Sequence, residues 1–195
     1  ATVTGGSLSG TKGSDSITLT QAGTYSSVDA GSNISITMND SVSGTGVSTN
    51  YSLTQPTVTG TINKAPLGIT VSGIYSGSTT LSPSSFTTTG LVNSETISTL
   101  TSATLNSKNV ADNTTNYVSA IAINSGTANA SNYQITQARN ASLGTTQNTV
   151  SLSAAPLTVT GTTAPSKTYD GTNTATVTGG SLSGTKGSDS ITLTQ

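Results

Sequence analysis

Five stretches of the chain place an apolar side chain at every second position: SITLTQ (16–21), NISITM (33–38), NYSLTQ (50–55), TVTGTI (57–62) and NTVSLSA (148–154). The positions between them carry Ser, Thr or another small polar residue. A period of two marks a β-strand with one buried and one wet face. The pattern predicts strands at 23–28, 33–38, 50–54, 57–62, 156–161, 175–178 and 189–194. It predicts others at 67–73, 84–89, 96–105, 116–123, 132–136 and 148–153. Turn residues fall at 29–33, 43–46, 123–127, 170–171 and 179–180. No window carries a capped apolar stripe of helical period. Six or seven short strands per 85–90 residues predict an all-β fold of small antiparallel sandwich-like modules with minimal helix.

Composition narrows the picture. Charged residues make up 7% of the chain, and there is no Cys or His, against roughly 25% charged in an ordinary domain. Leu, Ile, Val and Phe number 37 of 195, close to the level at which chains cease to fold. Disorder of that kind also requires high net charge, and the net charge here is −1. The expectation is a folded chain with a thin core. Near-neutral charge gives no pull toward nucleic acid or an anionic membrane, and no stretch approaches the length of a membrane span. Without cysteine there is no disulfide framework and no thiolate metal site. Without histidine there is no Ser-His dyad and no imidazole site. No glycine-rich loop opens a helix to cradle phosphate. An enzyme is not expected, and no cofactor is implied.

The chain repeats itself. ATVTGGSLSGTKGSDSITLTQ occupies residues 1–21 and again 175–195, identical at all 21 positions and offset by 174. Ala-Pro-Leu recurs at 65 and 155, 90 residues apart. Fixed-period self-similarity is the signature of a repeat architecture. The period divides into a complete module at 65–154 and a second module met in two pieces. Residues 155–195 hold the start of that second module, and residues 1–64 hold its later part, preceded by the shared string. The chain is thus read as a window on a tandem, rod-like array. Pro66 and Pro156 fix φ and remove a backbone donor at the joints, which favours short, stiff connections.

Tyr169-Asp170-Gly171-Thr172, Gly184, Asp189, Gly31, Asn50-Tyr51 and the closing TVTGTINKAPL follow one another at module spacing. In these residues the split module resembles the YDG domain of large secreted bacterial adhesins of the filamentous-haemagglutinin type. Through GLVNSETIS (90–98), NTTNY (113–117) and SNYQIT (131–136), the module at 65–154 is similar to the partner MBG domain, mostly β and glycine-rich. It departs in having Tyr75-Ser76-Gly77 where the other has Tyr-Asp-Gly. The resemblance implies a repetitive, surface-exposed stalk without enzymatic activity.

The motif residues have bland and sharp readings. Asp170, with Asn173, could ligate calcium, but such sites gather several carboxylates and few acids are near. The expectation is a turn in which Asp170 caps its own backbone while Tyr169 packs below. Asn50-Tyr51 and Asn132-Tyr133 could stack sugars, but a chain with one Phe and no Trp needs its tyrosines in the core. They are expected as strand-entry Asn and anchoring Tyr. Lys64, Lys108 and Lys167 could form Lys–Asn isopeptide bonds if buried beside a carboxylate such as Glu95, Asp112, Asp170 or Asp189. Sequons at Asn33, Asn39, Asn113, Asn129 and Asn140 are expected by chance in so Ser/Thr-rich a chain.

The leading expectation is a structural stalk or fibre repeat of an extracellular adhesin or matrix filament, with adjacent copies as partners and no nucleic acid or membrane insertion. The alternatives are a carbohydrate- or surface-binding β module, or a self-polymerising subunit. In the last case residues 155–174 of one copy would complete the 1–64 of a neighbour.

Overall fold

The computed structural model describes residues 2–45, 50–135 and 147–195. The chain divides into two compact units: residues 1–64 with 131–133, and residues 65–130 with 134–195. Besides strands, the described residues hold two short 3-10 turns, Val110–Thr114 and Ala130–Asn132, and a helical residue at Asn50.

The first unit follows its period-two pattern closely. Its strands are β1 (Ile17–Thr20), β2 (Gly23–Tyr25), β3 (Gly31–Met38), β4 (Ser41–Gly44) and β5 (Val58–Ile62). β1 and β4 form an antiparallel pair, with Leu19 opposite Val42. β3 lies between β2 and β5, antiparallel to both. In β3 the inward residues are Ile34, Ile36 and Met38, and the intervening Ser35 and Thr37 are exposed. Each inward side chain removes apolar area from water, at about 25 cal/mol per Å². Among the described residues of this unit the buried apolar ones are Met38 and Tyr133, so its core is thin.

The second unit holds the main core. Its longest strand, β6 (Ala65–Ile74), is flanked by β8 (Ser85–Thr89), antiparallel, and β12 (Asn148–Ser153), parallel. β11 (Tyr133–Ile135) belongs to the same sheet. A second sheet runs β10 (Val118–Gly126), β9 (Ile97–Leu105) and β7 (Thr80–Leu81). Ile69, Val71, Val150 and Leu152 from the first sheet meet Leu81, Ala103, Leu105 and Val118 from the second in one apolar cluster. Phe86 packs at its border. Gly73 lies where Leu81 presses on the backbone. A Cβ there would sit 2.7 Å from Leu81 Cδ1, so any side chain at this position must displace Leu81. Beyond this core run β13 (Thr158–Thr160) and β14 (Ser181–Ser183), a short antiparallel pair joined farther along by a lone bridge between Thr163 and Thr178.

Several expectations change here. The all-β class holds, but the β6–β12 pair is parallel where antiparallel pairing was expected. Such a pair needs a long crossover between its strands, and the chain between β6 and β12 carries β7 to β11. The strands expected at 175–178 and 50–54 are absent apart from the Thr178 bridge. The strand at 189–194 is absent too, although the identical residues 15–20 supply β1. Alternation creates a face, but a ladder also needs a partner strand, and only residues 17–20 have one. The turn placed at 123–127 lies mostly inside β10, which runs on to Gly126 through several register shifts. β4, β7 and β14 were not anticipated. Positions 46, 136 and Asn140, included in a predicted turn, a predicted strand and a sequon, lie outside the described residues.

Candidate functional site: the tyrosine–aspartate turns and the YDG loop

The repeated string contains a tight turn, Thr-Lys-Gly-Ser-Asp, at 11–15 and 185–189. In both places the Asp N–H donates to the Lys carbonyl at 3.2 Å, which fixes the carboxylate beside the turn. In both places it accepts a tyrosine hydroxyl. Tyr51 Oη donates to Asp15 at 2.7 Å, and the Lys12 N–H donates to Tyr51 Oη at 2.9 Å. Tyr75 Oη donates to Asp189 at 2.7 Å. The two tyrosines come from different parts of the period. Donation to the carboxylate stabilises the neutral phenol and raises both tyrosine pKa values above the ordinary range, and for Tyr51 the Lys12 N–H works against this. Lys108 Nζ lies 3.8 Å from Asp189, and both side chains are about a third exposed.

Beside the second turn is a cavity of about 430 Å³, lined by Tyr75, Val110, Ala154, Leu157, Asp189 and Ile191 among others. Beside the first turn the corresponding cavity is about 70 Å³, with Val42, Tyr51 and Leu53 in its wall.

The YDG loop is organised by a lysine. Asp170 Oδ1 accepts both the N–H and the hydroxyl of Thr172 at 2.9 Å, the expected self-capping turn. Gly171 takes φ +73°, a left-handed conformation that glycine adopts without strain. Lys167 Nζ then lies 2.9 Å from Asp170 Oδ1 and donates to the Thr172 carbonyl, the Thr172 hydroxyl and the Thr174 carbonyl at 2.9–3.1 Å. The oxygens that a calcium ion would require are thus gathered around an ammonium. Lys167 first, and Thr172 second, hold the Asp170 carboxyl below its usual pKa. Tyr169 does not pack beneath this turn. It is 93% exposed, because only the Thr163–Thr178 bridge spans this stretch and no strand lies over the ring.

The remaining motif residues divide. Tyr51 is half-buried and Asn50 exposed, but no strand follows them. Tyr133 is buried and begins β11, as expected. Asn132 accepts the Ala30 N–H at 2.9 Å and donates to Asp29 at 2.8 Å. Pro66 is the exposed second residue of β6, and Pro156 falls in the gap between β12 and β13. Lys108 and Lys167 are each more than a third exposed, with an aspartate against the ammonium. The buried lysine that an isopeptide bond needs is not found at either position.

Sequence reasoning missed the asparagine clamps. Asn148, buried, accepts the Val118 N–H at 2.8 Å and donates to the Val118 carbonyl at 2.7 Å, tying β12 to β10. Asn116 does the same for Ser107, and Asn113 for Leu152. Gln55 does so for Asp40 in the first unit. A side-chain amide presents one donor and one acceptor in the spacing of a peptide group, so each replaces a missing strand neighbour. The excess of Asn over charged residues was the available signal.

Residues 153–195 match the YDG domain family. No curated protein and no solved structure matches the chain. A YDG domain is therefore present over that span, and it contains the Lys167 loop, the Asp189 turn and the second copy of the repeated string.

Proposed function

We propose that the chain is a structural repeat of an extracellular stalk or fibre, belonging to a bacterial adhesin or matrix filament, and that it is non-catalytic. The observation that carries this reading is the 21-residue identity at an offset of 174, its second copy lying inside a YDG domain. Restating the same strands at a fixed distance is the mark of an array of stacked units. The polar groups described above serve the backbone: amides clamp strands, carboxylates hold turns, and the lysine of the YDG loop closes that loop. On this reading the module at 65–154 is an MBG-like spacer, and the neighbours of each module are further copies of the same period.

The test is to produce chains of one, two and three 174-residue periods and measure their maximum dimension by small-angle X-ray scattering. A stalk lengthens in proportion to the number of periods. Collapse to a maximum dimension that grows only as the cube root of mass would overturn the reading.

A further inference from the structure

The two copies of the repeated string are identical in sequence but differently covered, and the difference defines a docking surface. In the first copy Ile17 and Val3 are half-buried, Ile17 opposite Gly44 of β4 and Val3 beside Gly23 of β2. In the second copy their equivalents Ile191 and Val177 are 46% and 37% exposed. Leu157 and Val159, in the same span, are 43% and 45% exposed. The cavity beside the turn is correspondingly about 430 Å³ at the second copy and about 70 Å³ at the first.

We propose that this apolar surface on residues 155–195 binds residues 22–64 of a second copy of the chain. The described residues of that segment pair there as they pair with residues 2–21 in their own unit. The occupant is specified by the molecule itself, because the same 21 residues are seen bearing it. Register transfers directly. Leu19 opposes Val42 and Thr18 opposes Ser43, so Leu193 opposes the second copy's Val42 and Thr192 its Ser43. The second copy's Val42, Tyr51 and Leu53 enter the larger cavity, and its Tyr51 replaces Tyr75 as the hydroxyl donor to Asp189. Exchanging one identical string for another leaves the string's own contacts unchanged. The gain is that residues 155–174, already paired to the string through β13, and residues 22–64 then share one module. The proposal rests on reading the chain as a repeat unit and concerns only how copies join. Its failure would leave the scattering test of that reading untouched.

The chain has no cysteine, which makes the test direct. Thr192→Cys in one full-length chain and Ser43→Cys in another, distinguished by a mass tag, are mixed under mild oxidation. Ser98→Cys replaces Ser43→Cys as the control for collisional cross-linking. Register-aligned thiols react at a raised effective concentration, so the Thr192/Ser43 heterodimer should form on the order of tenfold faster than the Thr192/Ser98 one. Adding Tyr75→Phe to the Thr192 chain removes the resident donor and should raise the rate. Circular dichroism checks that each variant keeps its strands. Equal rates for the two pairs, or no response to Tyr75→Phe, would overturn the proposal.

Discussion

At the scale of the residue, this chain does with amides what most proteins do with longer cores and more charges. Asn148 is the decisive case. Its side chain satisfies both backbone groups of Val118, and Asn148 and Val118 are each no more than 1% exposed. Asn148→Ala strands a buried N–H and a buried carbonyl, each costing about 1–3 kcal/mol, so the loss should be about 3 kcal/mol. Urea denaturation measures it. A loss below 1 kcal/mol would mean that water reaches Val118. Asp170 gives a prediction of a different kind. Its folded pKa is depressed, so its contribution to loop order is complete above the unfolded carboxylate value. That contribution fades as pH falls through the lower folded value. Lys167→Met removes the largest cause. Carboxyl carbon NMR should then show Asp170 titrating closer to its ordinary range, and an unmoved midpoint would show that Thr172 alone holds it.

At the scale of the element, the question is why some strands were legible and others were not. β3, β5, β6 and β12 announced themselves because each alternates over five or more residues and meets a partner strand. Residues 189–194 carry the same letters as 15–20 and form no strand, so legibility ended where pairing did. β4 was hidden because Ser41–Gly44 has one apolar residue, Val42, and its existence depends on β1 opposite. The parallel β6–β12 pair was hidden because alternation says nothing about direction. The YDG turn was read correctly at Asp170 and wrongly at Tyr169, since a turn is local and a ring's burial depends on what passes over it. At Gly73, β6 packs directly against Leu81 of β7. Gly73→Val drives a branched side chain into Leu81, and overpacking of this kind costs about 1–3 kcal/mol. Pairing it with Leu81→Ala opens space, so the double variant should be less destabilised than the sum of the two single ones. Strict additivity in the same denaturation experiment would show that the two positions do not press on each other.

At the scale of the whole molecule, stability is distributed unevenly along one chain. Ile69, Val71, Val118 and Val150 are at most 3% exposed and sit in strands paired through one shared core. β13 has three exposed residues, and its partner β14 has a single half-buried one, Leu182. Local opening free energy follows buried apolar contact and runs from near zero for weakly held segments up to the global value in the core. Native-state hydrogen exchange should therefore find the amides of β6, β9, β10 and β12 exchanging only on global unfolding. Those of residues 155–195 should exchange through openings of about 0–2 kcal/mol. Raising the protein concentration separates two origins of that weakness. If the span is weak because its natural cover is the 22–64 segment of another copy, protection at 191–194 should rise with concentration while the core amides stay constant. A protection pattern that is flat with concentration would mean that the exposed face of the YDG domain is not a self-association surface under those conditions, and that its apolar residues are simply the wet side of a short ladder.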